Sequence, residues 1–233
     1  MHKDITSEEL SRIKYNIDDF LNIISQRNNL NDYQQIDKEF FSFLAKHIIF
    51  FRYLYNNNDQ TYFYKVLISD LYCLILSIIQ NNIRYIYLNE RSIIENYMRA
   101  IMQEKMKDNQ VTSAIFNKMN EELKQVNILN FTNDDYSKIK NAYRISCNYV
   151  HGGNLLNDNL VLVLEEYDKM SFLLRDRKNF YKQFKTILKI YDKAIIYKQN
   201  NYIDLCFHRK KTILNYLLGK KSTDLFFSIR DKK

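Results

Sequence analysis

The segment Tyr143-Arg144-Ile145-Ser146-Cys147-Asn148-Tyr149-Val150-His151 places an always-charged guanidinium, an amide and a pH-switchable imidazole at helical spacing. Arg144 and His151 are seven residues apart, which on a helix is about 20° from superposition and about 10.5 Å along the axis. Asn148 lies between them, and the polar stripe continues back through Lys140 and Ser137. This set suits chemistry on a phosphodiester. The imidazole can accept a 2′-hydroxyl proton or protonate the leaving oxygen. The guanidinium can stabilise charge on a pentacoordinate phosphorus. A plainer use is open for both residues. Arg144 can pair with an acid on a neighbouring helix, and His151 can cap its own helix, where an imidazolium favours the dipole.

The other three histidines have weaker settings. His2 is terminal, His47 sits in a Phe/Ile-rich stretch and reads as a structural partner, and His208 adjoins Arg209-Lys210-Lys211 on a basic surface. His151 instead precedes Gly152-Gly153, where the backbone can approach a ligand closely.

At these residues the chain resembles the HEPN superfamily, helical proteins marked by Arg, four to six intervening residues, then His. Here that is Arg144, six residues and His151. A second echo is LNERSIIENYMRA, Leu88 to Ala100, like the Arg-Ser-hydrophobic-hydrophobic-Glu helix upstream of the motif in many relatives. The resemblance covers roughly 85–165. It implies a metal-independent endoribonuclease of toxin or anti-phage (abortive infection) systems, needing no cofactor and working as a homodimer in which two motif helices meet. Arg144 would bind the scissile phosphate and His151 would act as acid and base. Arg91 and Glu95, four apart and suited to an ion pair, would brace the motif helix or line its cleft. RNA is the implied substrate, and an antitoxin or defence-system protein the implied partner. Many active members carry a polar residue directly after the Arg, where this chain has Ile145. Asn148 can fill that polar role. The alternative is a non-catalytic module of the same fold that binds nucleic acid or a partner protein.

The net charge of +8 is unevenly spread. Residues 168–233 hold 17 Lys and Arg against 6 Asp and Glu, a local charge of +11. Lys178, Lys182, Lys185, Lys189 and Lys193 form one stripe opposite Phe180, Phe184, Ile187, Leu188 and Tyr191. Such a stripe is ordinarily a solvated helix face. Its clustering with Arg209, Lys210 and Lys211 also suits a polyanion, bound in a salt-dependent way. Lys140, Lys182, Lys185, Lys189, Arg209, Lys210 and Lys211 are therefore the candidate RNA contacts.

The elements that must carry these residues read as helices. Thr6 and Glu9 have capping-box spacing and predict a first helix to about Asn28. Others are expected over about 33–55, 62–80 and 88–107, then from Thr112 or Ser113 to about Asn130. A well-patterned helix capped by Thr132 to Asp135 should reach His151, with Gly152-Gly153 as its left-handed C-cap. Two or three basic helices follow, and Val161 to Leu164 reads as either a short strand or a helix start.

Composition agrees. The chain has no proline and three glycines, against typical usage of roughly 5% and 7%. Sandwiches and barrels need tight turns made with these residues, and doubly wound folds need glycines where strands meet helices. An all-α multi-helix bundle remains. It reads as a single domain over 1–233, with N-terminal helices over 1–82, a HEPN-like motif core over 83–167 and basic helices over 168–233. Three scattered cysteines, Cys73, Cys147 and Cys206, argue for a reducing compartment and offer no zinc spacing. Residues 1–10 are too polar for a secretory signal. The strongest apolar run, Leu71 to Ile79, is about half a membrane span. A cytoplasmic protein without membrane association is expected.

Overall fold

The structure is a computed structural model that describes residues 2–30, 32–56, 61–102, 113–150 and 172–231. Among the described residues there is no strand, and ten α-helices pack together. They are α1 (His2–Arg27), α2 (Gln35–Leu54), α3 (Tyr62–Ile79), α4 (Ile83–Met102), α5 (Ser113–Lys124), α6 (Asn133–Val150), α7 (Leu174–Lys198), α8 (Asn200–Cys206), α9 (Lys211–Leu218) and α10 (Lys220–Arg230). A short 3₁₀ turn, Asn127–Leu129, precedes α6.

Asparagine chemistry makes two of the connections. Asn81 adopts a left-handed φ of 56° between α3 and α4, and the Asn82 side chain accepts the Tyr85 amide at 3.2 Å, starting α4. Asn130, at φ 47°, turns the chain towards α6. There Thr132 and Asp135 form the expected reciprocal box: each side chain accepts the other's amide, at 3.0 and 3.1 Å. Gly219, at φ 84°, separates α9 from α10, an angle that strains residues bearing a Cβ.

Thr6 and Glu9 do not start a helix, because α1 already runs from His2. Their side chains serve tertiary contacts instead. Thr6 donates to the Arg209 carbonyl, and Glu9 accepts from Tyr53 at 2.6 Å and from Lys210 at 2.9 Å. The N-terminal part of α1 is thereby pinned to the end of α2 and the start of α9.

Buried side chains from Ile13 to Ile229 form one continuous core cluster. Helix α4 lies within it, packed against α3, α6 and α7, while α2 packs against α1, α3 and α9. Helix α3 has a mean hydropathy of 1.7 over 18 residues and is, by length and composition, able to cross a membrane. That is longer than the nine-residue run suggested. Its Leu67, Leu71, Leu74, Ile75 and Ile78 are buried and form the side packed on α2 and α4.

Two buried polar clusters tie distant parts of the chain. Arg177 is buried; it donates to Asp37 at 3.0 Å, to Asp32 at 2.6 Å and to the Phe172 carbonyl at 3.1 Å, while Tyr181 donates to Asp37 at 2.8 Å. In the second, His47 Nε2 lies 3.0 Å from Asp192 and its Nδ1 lies 2.8 Å from the Phe43 carbonyl. Both neighbours present acceptor oxygens, an arrangement that favours the doubly protonated, charged ring. Burial opposes that charge, but the Asp192 carboxylate outweighs it and holds the pKa above the ordinary value. His47 is thus the structural partner its surroundings implied.

Candidate functional site

The stripe singled out in the sequence lies on the outer face of α6. Ser137, Lys140, Asn141, Arg144 and Asn148 are exposed, whereas Ile139, Ala142 and Ser146 are buried on the opposite side. Arg144 donates to Asn141, one turn back on its own helix, at 3.0 Å. No carboxylate among the described residues lies within ion-pair distance of it, so its charge faces outward. Ile145 is half-buried. His151 and Gly152-Gly153 lie outside the described residues, as does Val161 to Leu164.

The inner face of α6 is held by α4 through three layers. Nearest the start, Arg91 donates to Glu95 at 3.0 Å, and Tyr143 of α6 donates to the same carboxylate oxygen at 2.8 Å. The Arg91 guanidinium sits 5.7 Å from the Tyr143 ring centre. The hydrogen bond to Glu95 raises the Arg91 pKa despite partial burial, and burial and Glu95 together raise that of the Tyr143 phenol. Arg91 and Glu95 thus form an ion pair within α4, and Glu95 also accepts from Tyr143 of α6.

The middle layer is Glu90 with Ser146. Glu90 is 3% exposed, its Oε2 is 2.6 Å from Ser146 Oγ, and burial pushes its carboxyl up to about 8, against which the serine contact acts. Ser146 Oγ is also 3.0 Å from the Ala142 carbonyl. One hydroxyl hydrogen cannot serve both oxygens. With Glu90 protonated the chain is complete: the acid donates to Ser146, which donates to Ala142.

The last layer is a face-to-face stack of Tyr87 and Tyr149, 3.9 Å between centres and 10° between planes. Beyond it Arg84 donates to the Val150 carbonyl at 3.2 Å, which sets a second, exposed guanidinium at the end of α6. Glu90 and Arg84 were not singled out in the sequence.

The basic third is divided. Lys178, Lys182, Lys189 and Lys193 are exposed along α7. Lys185 is half-buried over the Phe40 and Phe43 rings, at 5.8 and 5.9 Å, and burial lowers its pKa. Lys210 is paired with Glu9, Lys211 with Asp204, and Arg209 is exposed at φ 60°. Of the seven candidate RNA contacts, Lys140, Lys182, Lys189 and Arg209 thus face solvent. Among the described residues no three His, Cys, Asp or Glu side chains gather into a cation-binding group.

In comparisons with protein-family models, curated proteins and solved structures, nothing matches this chain. The all-helical architecture stands on the structure itself.

Proposed function

We propose that this chain is a HEPN-type, metal-independent endoribonuclease that acts as a homodimer in bacterial toxin or antiviral defence in the cytoplasm. His151 serves as acid and base, Arg144 holds the scissile phosphate, and Asn148 supplies the polar contact that Ile145 does not. The observation that carries this reading is the outward polar stripe Lys140–Arg144–Asn148, on a helix whose other face is fixed by α4. An outward guanidinium without a carboxylate partner favours an anion over an internal ion pair. Arg84, bonded to the last carbonyl of α6, adds positive charge where that stripe ends. The test is cleavage of RNA in the presence of EDTA by wild type, R144A and H151A. Cleavage by wild type alone is expected; equal cleavage by H151A, or none by any form across varied RNAs, would sink the reading.

The exposed lysines of α7 and the half-buried Ile145 favour a second reading, a non-catalytic module of the same fold that binds RNA or a partner protein. It expects salt-sensitive RNA binding that survives H151A, with no product formed.

A further inference from the structure

A groove of about 680 Å³ runs along α1 and α2, away from α6, with Tyr72 of α3 on its wall. Its size falls in the usual range for small-molecule sites, roughly 300–1,000 Å³. The Tyr53–Glu9 bond joins the end of α2 to the start of α1, so the two helices run antiparallel along it. Its lining is therefore graded from end to end.

At the polar end lie Glu9, Arg12, Arg52 and Tyr53. Glu9 already accepts from Tyr53 and Lys210. Arg12 and Arg52 are exposed, and Arg12 lies near enough to Glu9 and Tyr53 for its charge to act on both. Counting Lys210, this end carries three cations and one carboxylate. Towards the other end the lining is Ile17 and Phe20 from α1, and Ala45 and Ile48 from α2. The span from Glu9 to Phe20 is about 16 Å at helical rise.

We infer that this groove binds an anionic-headed acyl chain, with its carboxylate or phosphate between Arg12 and Arg52 and its hydrocarbon along Ile17, Phe20, Ala45 and Ile48. The two exposed guanidinium groups recognise the head by charge and paired hydrogen bonds. The apolar end accepts methylenes and gains from removing them from water. A free fatty acid and a single-chain phospholipid share this chemistry.

The experiment is titration calorimetry on the full chain, using ligands below their micelle concentration. Decyl phosphate and decanoate are expected to bind saturably at one site. Butyl phosphate should bind more weakly, by up to about fourfold per methylene removed. Inorganic phosphate and decyltrimethylammonium should not saturate. R12Q and R52Q should each weaken decyl phosphate at least fivefold, and the double variant should abolish binding with its circular dichroism unchanged; K221Q should have no effect. Which of decanoate and lysophosphatidic acid binds tighter identifies the source. Equal binding of decyltrimethylammonium, binding unaffected by R12Q/R52Q, or Arg-dependent binding of AMP without decyl phosphate would each overturn the proposal.

Discussion

Ser146 Oγ lies 2.6 Å from Glu90 Oε2 in the buried seam between α4 and α6, on the face of α6 opposite the exposed stripe. Burial raises the Glu90 carboxyl from 4.5 to about 8, so the folded chain holds a proton there that the unfolded chain has released. Where the folded state binds more protons, stability falls with rising pH. The contribution is fully present below about 4.5, declines through about 8, and then levels off. Glu90→Gln keeps a donor for Ser146 and removes the titration. In thermal melts, the difference between E90Q and wild type should grow by several °C in favour of E90Q from pH 5 to pH 9, at about 2–4 °C per kcal/mol for a chain of this size. Parallel curves would show that Glu90 does not carry this proton.

Glu95 accepts from both Arg91 and Tyr143, and so makes a polar link between α4 and α6. Y143F deletes only the bond across the helices and should cost about 0.5–1.5 kcal/mol. E95Q should cost more, because it also removes the negative partner of Arg91. If α6 presents a catalytic stripe, both variants should lower kcat more than they raise KM, since they move the positioned residues rather than a substrate contact. Unchanged kcat with intact RNA binding would separate the brace from catalysis.

Local patterns were readable before the fold was known, and long-range pairings were not. The cap at Thr132 to Asp135 involves neighbours in sequence, so spacing revealed it. Thr6 and Glu9 show the limit of that logic. Their box spacing is sound, but Tyr53 and Lys210 compete for Glu9 from 44 and 201 residues away. Arg177 looked like one more cation in a basic stretch, and only the approach of α2 to α7 shows it buried on Asp37. The stripe on α6 was legible because helical spacing alone sets it. The layers behind it depend on which face of α4 meets α6, and a single sequence does not state that.

His47 and Asp192 are 145 residues apart and both nearly inaccessible, at 1% and 2%. The folded imidazole holds its proton above 6.5. Its contribution is present below that value and is lost as pH rises through the raised folded pKa. H47L leaves the Asp192 carboxylate buried without its cation and should cost about 3–5 kcal/mol. D192N should cost less, since a neutral imidazole can donate to Phe43 and accept from the new amide. It should also flatten the decline in Tm as pH rises above 6.5. A D192N protein with the wild-type slope would place that decline on another group.

The exposed lysines of α7 and Arg144 of α6 make separable demands on RNA. Lys182 and Lys189 face solvent, so K182Q/K189Q should leave stability within about 0.5 kcal/mol. If both neutralise phosphates of a single strand, the double variant should weaken binding and reduce the slope of log K against log salt by about 1.4. Arg144 is also exposed, and R144Q should likewise leave folding intact. Its loss should fall on cleavage rate, because a guanidinium at the scissile phosphate stabilises charge that grows in the transition state. Filter binding across a salt series, set beside single-turnover cleavage, reads both effects. A slope unchanged by K182Q/K189Q would remove α7 from the RNA path, and R144Q cleaving at the wild-type rate would remove Arg144 from the reaction.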